Sequence, residues 1–169
     1  APPSGAQLLD LYLPANPPEH GTPVLVWIHG GGWSFGNKEE HCILHWLAAE
    51  GIAVASINYR LLHEAQWPAP LEDCSAAISW LRAHAQTYHL DPARIAVGGS
   101  SAGGHLAALV GTVVLWRRRR WVWPLLVPPI VVTLGTVLAF GQTRFRAPAE
   151  PVIVVLAAVA LDRKSTRLN

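Results

Sequence analysis

A chain of 169 residues is long enough for one domain with a buried core, yet short for a complete α/β sheet carrying helices on both faces. Its two cysteines, Cys42 and Cys74, match neither a zinc-ligand spacing nor a disulfide framework and read as small buried hydrophobes. The net charge of +2 conceals a split: residues 1–112 carry 4 Lys+Arg against 9 Asp+Glu and residues 113–169 carry 9 against 2, so the front is −5 and the tail +7. All eight histidines and all three tyrosines also fall in the front part. A change of protein type is therefore expected near residue 112, with an α/β domain over 1–112 and an unrelated hydrophobic, basic tail over 113–169. The opening Ala1-Pro2-Pro3-Ser4-Gly5 is no signal peptide, and methionine is absent throughout. The natural start is expected upstream, which leaves the compartment unassigned.

In chain order, Leu8 to Leu13 is a short apolar run ended by Pro14, Pro17, Pro18 and Gly21, which suits a strand and then a loop. Pro23 to His29 is nearly unbroken in β-branched and aromatic residues, the pattern of a strand buried on both faces of a parallel sheet. Glu39 to Glu50 has helical spacing, with Gly51 where a helix C-terminus wants it. Ile52 to Tyr59 reads as the next strand, so strand, helix and strand predict a parallel pair. Residues 61–70 form a Pro-containing loop, and Leu71 to Tyr88 predicts a long helix. Its stripe would hold Ala76, Ala77, Trp80, Leu81 and His84, and Leu90-Asp91-Pro92 would close it. Arg94 to Gly99 predicts a third buried strand, running straight into Ser100-Ser101-Ala102-Gly103-Gly104-His105 and an Ala/Leu-rich helix.

That last junction has the chemistry of a nucleophile. Gly99-Ser100-Ser101-Ala102-Gly103 is G-x-S-x-G between a strand and a helix, with Ser101 at its centre and small neighbours that let the helix pass close to the strand. His29-Gly30-Gly31-Gly32-Trp33 ends an earlier strand as an HGGG-type loop, whose glycines leave backbone N–H groups open to a developing oxyanion. Taken alone, such a loop could equally be a flexible connection or a phosphate cradle. Paired with the elbow it predicts Gly30 and Gly31 as oxyanion donors, and the N–H of Ala102 at the helix start as the third.

Four segments carry a family resemblance: LDLYLP at 9–14, VLVWIHGGGW with Gly36 and Lys38 at 24–38, SINYRL with Glu64 and Trp67-Pro68-Ala69 at 56–69, and DPARIAVGGSSAGGHLAAL at 91–109. Together they resemble the esterase/lipase branch of the α/β-hydrolases, which includes hormone-sensitive-lipase-like carboxylesterases, and most closely the bacterial feruloyl and acetyl-xylan esterase-like domain. The resemblance implies a three-layer α/β/α fold with a mostly parallel sheet, here truncated after the nucleophile helix. It also implies a serine hydrolase of small carboxylic esters, acting through an acyl-enzyme without metal or organic cofactor. Arylformamidases share much of the pattern, so ester and formamide substrates both fit.

One departure from that family bears on activity. The triad order there is Ser, then Asp or Glu, then His. After Ser101 the only histidine is His105, one turn along the same helix, and the only acids are Glu150 and Asp162. His105 reads as helix packing; Asp73 and Asp91 precede the serine and read as a helix-surface residue and a helix-end or turn residue. No triad acid or base is assigned, and the 169 residues are expected to show negligible turnover.

In the tail, Trp121 to Phe140 is twenty residues without a charge, flanked by Arg117 to Arg120 and by Arg144 and Arg146. It resembles a membrane span, weakened as a helix by Pro124, Pro128 and Pro129. The closing Asp162 to Asn169 looks like translated sequencing-adapter sequence, which predicts a chimeric or frame-broken join. The competing expectation is a non-catalytic, membrane-associated binding protein built on a hydrolase-like half-domain. Nucleic acid is not expected as a partner, because the Arg117 to Arg120 run is better explained as a flank at a bilayer surface.

Overall fold

A computed structural model describes residues 5–39 and 44–117, together with 119, 121, 123, 127 and 130. Cys42, most of the proposed span at 121–140 and everything after 130 lie outside the described residues. Among the described residues no helix is long and apolar enough to cross a membrane.

The described residues form four strands and two α-helices: β1 (Leu9–Tyr12), β2 (Thr22–Ile28), β3 (Ala53–Ile57), α1 (Ala69–Ala83), β4 (Leu90–Gly99) and α2 (Ala102–Arg117). The sheet order is β1-β3-β2-β4. β2 pairs parallel with both β3 and β4, whereas β1 pairs antiparallel with β3. The apolar runs of β2 and β3 alternate between two buried faces. Val24, Val26, Ile28, Ala53, Ala55 and Ile57 meet α1 and α2 through Cys74, Ile78, Leu81, Leu106 and Val110. Trp27 and Val54 point the other way, against Leu44 and Leu47.

The strand forecasts hold to within a few residues, and the structure corrects four details between them. In place of a helix over 39–50, the described part is a short 3-10 helix, His45–Ala48. It still ends as the glycine suggested. Gly51 N–H donates to Ala48 O at 3.2 Å and Ile52 N–H to Leu47 O at 3.0 Å, the paired closing bonds of a Schellman turn. Secondly, α1 starts at Ala69 and stops at Ala83, and its buried stripe is Pro70, Cys74, Ile78 and Leu81 rather than the one through Ala76 and Trp80. Ala76 and Trp80 instead border a groove of about 530 Å³ between β1 and α1, with Leu8, Leu9, Leu11 and Tyr88.

Thirdly, Asp73 is not a surface residue but is buried. Its carboxylate accepts bonds from Arg60 N, Nε and Nη2 at 2.9, 2.8 and 2.9 Å, and from Gln7 Nε2 at 3.0 Å. Burial alone would raise its pKa, but these donors outweigh that and hold the carboxyl below the ordinary aspartate value. Fourthly, Leu90-Asp91-Pro92 belongs to β4. Leu90 pairs with Thr22, and regular pairing resumes at Val24 with Ile95 after an irregularity in register. Cys74 is fully buried as expected, and desolvation pushes its thiol pKa up.

Candidate active site

Helix α2 lies against β4 and β2, and its approach is set at the strand–helix turn. A Cβ on Gly103 would collide with the carbonyls of Ile28 and His29, and one on Gly99 would sit 2.6 Å from Ile28 O. Only residues without side chains let α2 descend this close to the end of β2. Ser100 N–H donates to Ile28 O at 3.2 Å, which locks the turn to that strand. Squeezed between β4 and α2, Ser101 adopts φ +47°, a left-handed conformation that costs a non-glycine residue about 1–3 kcal/mol. Its side chain is exposed while Ala102, next along, is buried.

The HGGG loop leaves the end of β2 directly opposite. A methyl group on Gly30 would lie 3.0 Å from Ser100 Oγ and 3.4 Å from Ser101 Cβ, so the two segments are in near contact. Gly31 turns back with φ +95°, and its carbonyl accepts from Ser34 N at 3.0 Å and Phe35 N at 3.1 Å. Any side chain there would run into the Phe35 carbonyl. Among the described residues, the backbone N–H groups of Gly30, Gly31 and Ala102 donate to no other backbone carbonyl. The structure thus brings Gly30 to Ser101, puts Gly31 in the adjoining turn, and puts Ala102 in the first turn of α2, where helix N–H groups lack partners.

His105 sits one turn below Ser101, half-buried. Its Nδ1 lies 3.1 Å from Ser101 O, and its ring is tilted against Trp33 with centroids 5.8 Å apart. It packs the helix against the HGGG loop. Asp91 is turned to Arg94 Nε at 2.6 Å and Ala93 N at 2.8 Å, and the Arg94 hydrogen bond is the main reason its carboxyl titrates below the ordinary value. Among the described residues no cluster of three or more His, Cys, Asp or Glu could hold a metal ion.

The BD-FAE family model matches residues 9–117, which is most of the described part. The chain belongs to the BD-FAE family. Residues 9–117 are accordingly an α/β-hydrolase domain of the esterase/lipase branch. Similar proteins in Mycobacterium tuberculosis include esterase LipC, 41% identical over 63% of this chain and 27% of its own length, and the carboxylic ester hydrolase LipN, 47% identical over 53% and 24%. Among solved structures, a bacterial heroin esterase superposes with a TM-score of 0.58 at 45% identity, covering 66% of this chain and 35% of that one. A truncated carbohydrate esterase from gut microbiota gives 0.57 at 38%, covering 62% and 37%. The chain therefore spans about a quarter to just over a third of the length of these relatives.

Sequence reasoning singled out Ser101 and the glycines but not what stands behind them. Tyr59, at the end of β3, is buried, and its hydroxyl donates towards Gly30 O at 3.0 Å and His29 O at 3.2 Å. Its ring stacks on His29 with centroids 4.3 Å apart and planes 12° from parallel. Arg60 and Asp73 fasten the next stretch of chain. One signal pointed there: Tyr59 follows the C-terminal end of a parallel strand, where open α/β sheets place their sites.

Proposed function

We propose that residues 9–117 supply the nucleophile and the oxyanion donors of a serine carboxylic-ester hydrolase. Ser101 Oγ would attack the ester carbonyl, forming a C–O bond as its proton passes to a base. The negative charge that gathers on the carbonyl oxygen would be met by the N–H groups of Gly30, Gly31 and Ala102. Collapse would then expel the alcohol and leave an acyl-Ser101, which water cleaves to the acid. The observation that carries this reading is the strained Ser101 turn, with Gly30 packed against it and three N–H groups there that donate to no other backbone carbonyl.

The names of the relatives, a carboxylic ester hydrolase and a carbohydrate esterase among them, support carboxylic esters, including those of carbohydrates, as the substrate class. Ser101 also needs a general base. His105 lies one turn along the helix that Ser101 opens, with its Nδ1 on the Ser101 carbonyl and its ring against Trp33, and reads as packing rather than as that base. Without a histidine in reach, hydroxyl attack at neutral pH falls on the order of 10⁶-fold, so the 169 residues by themselves would turn over esters negligibly.

The test is p-nitrophenyl acetate hydrolysis by three proteins: the product of the continuous reading frame in the parent DNA, its Ser101→Ala variant, and the 169-residue chain. Only the first should hydrolyse the ester. A variant as fast as its parent would remove Ser101 from the mechanism. Serine-dependent hydrolysis by the 169 residues would show that the base lies within them.

A further inference from the structure

Resting on the oxyanion reading above, we infer that Tyr59 is the positioning residue of the HGGG loop: its single hydroxyl aims the N–H groups of Gly30 and Gly31 at Ser101. The argument is geometric. In a trans peptide the carbonyl of one residue and the N–H of the next point in opposite directions on one rigid plane. The N–H of Gly30 therefore shares its plane with His29 O, and the N–H of Gly31 shares its plane with Gly30 O. Those two carbonyls are the ones that Tyr59 Oη reaches, at 3.2 and 3.0 Å. One buried hydroxyl thus holds the backs of both peptide planes, and their N–H groups are directed the other way. Donation to a carbonyl also polarises its peptide unit and makes the linked N–H a stronger donor.

Everything around the hydroxyl keeps it there. Tyr59 is 1% exposed. Its ring lies flat on His29, which is itself 2% exposed. His29 Nδ1 is 2.9 Å from Gly30 O and so must carry its proton there, filling the second lone pair of the carbonyl that Tyr59 holds. Gly36 closes the other side of the imidazole, since a Cβ there would come within 2.5 Å of His29 Nδ1. Behind Tyr59, the next residue, Arg60, is tied through its N–H and guanidinium to Asp73. Ser101 is presented from the turn between β4 and α2, while the loop that would meet its oxyanion is aligned from the end of β3, the strand on the other side of β2.

Tyr59→Phe keeps the ring and removes only the hydroxyl. In the ¹⁵N-glycine-labelled intact chain, the amide protons of Gly30 and Gly31 should move upfield by more than those of any other glycine. Acetate, a small carboxylate probe, should perturb the same two amides in wild type. In the variant it should bind about fivefold more weakly, the factor carried by one hydrogen bond of ordinary net strength. Uniform incorporation of 3-fluorotyrosine, a more acidic phenol, should move the two amides downfield. That measurement stands even if the variant proves too unstable to record. Unmoved Gly30 and Gly31 amides, or an equal drift of every glycine, would overturn the inference. Selective movement of the two amides with no acetate response in wild type would leave the positioning intact and remove the oxyanion reading.

Discussion

Replacing Asp73 by Asn tests whether the buried ion pair beneath the site carries the stability its geometry implies. The carboxylate is 3% exposed and its partner Arg60 32%. Oδ2 accepts from Arg60 N and Nε, and Oδ1 from Arg60 Nη2 and Gln7 Nε2. An asparagine does least harm with its NH₂ at the Oδ1 position, where Gln7 can turn its amide over and accept. The Nη2 bond is then lost to donor–donor repulsion, and the two remaining bonds lose their charge. Severing a buried pair costs about 3–5 kcal/mol when the surviving charge is stranded. Arg60 is only partly stranded, because water reaches it and Glu72 lies 3.6 Å away. The expected loss is therefore about 2–3 kcal/mol. Urea unfolding followed by tryptophan fluorescence should show the midpoint falling by roughly 1–2 M at an ordinary m-value. Arg60→Ala should cost clearly less in the Asp73→Asn background than in wild type. A loss below about 0.5 kcal/mol would refute the burial of Asp73 and return it to the solvated helix face that the residue pattern alone suggests.

The same pair fixes a pH dependence. The folded carboxyl of Asp73 titrates below its unfolded value of about 3.9, so its contribution is complete above about pH 5 and is lost as pH falls through the folded value. The stability gap between wild type and Asp73→Asn should thus be flat from pH 5 to 8 and narrow on the acid side, as measured by urea midpoints across that range. Gly103→Ala drives a methyl group into two backbone carbonyls, which cannot yield as a side-chain tip could, so about 3 kcal/mol or more should be lost; an unchanged urea midpoint would contradict the close approach of α2 to β2. Ser101→Gly relieves the +47° backbone and should gain about 1 kcal/mol in urea unfolding. A fall in its unfolding midpoint would mean that the turn is not strained.

How far the chain could be read in advance follows from the range of the interactions involved. Strands β2, β3 and the end of β4 are buried on both faces, and a run such as Val24 to Ile28 states that locally. The elbow is equally local, because Gly99, Ser101 and Gly103 must be neighbours in sequence for the turn to close. Helix α1 was legible as a helix but not in its orientation. Trp80 and Ala76 are apolar yet face a groove, while the charged Asp73 is buried, since the partner that makes its burial possible, Arg60, comes from the preceding loop. Tyr59 was marked only by its place just past a parallel strand, and its role was hidden for the same reason. Nothing within ten residues of it reveals that its hydroxyl will meet the carbonyls of His29 and Gly30.

These long-range contacts explain why the domain holds a strained turn rather than relaxing out of it. A left-handed serine and a loop whose N–H groups donate to no other backbone carbonyl both raise the energy of the folded state. Each is over-determined by backbone that cannot move independently. Ser100 is bonded to Ile28, Gly103 rests on Ile28 and His29, and the carbonyls of His29 and Gly30 are held from behind by Tyr59. His29 is therefore the shared pivot: its carbonyl meets α2 and Tyr59, and its ring fills the gap between Tyr59 and Gly36. Strain at Ser101 and alignment of the Gly30 and Gly31 amides are two consequences of one packed junction at the end of β2. A perturbation at either side of that junction should register at the other.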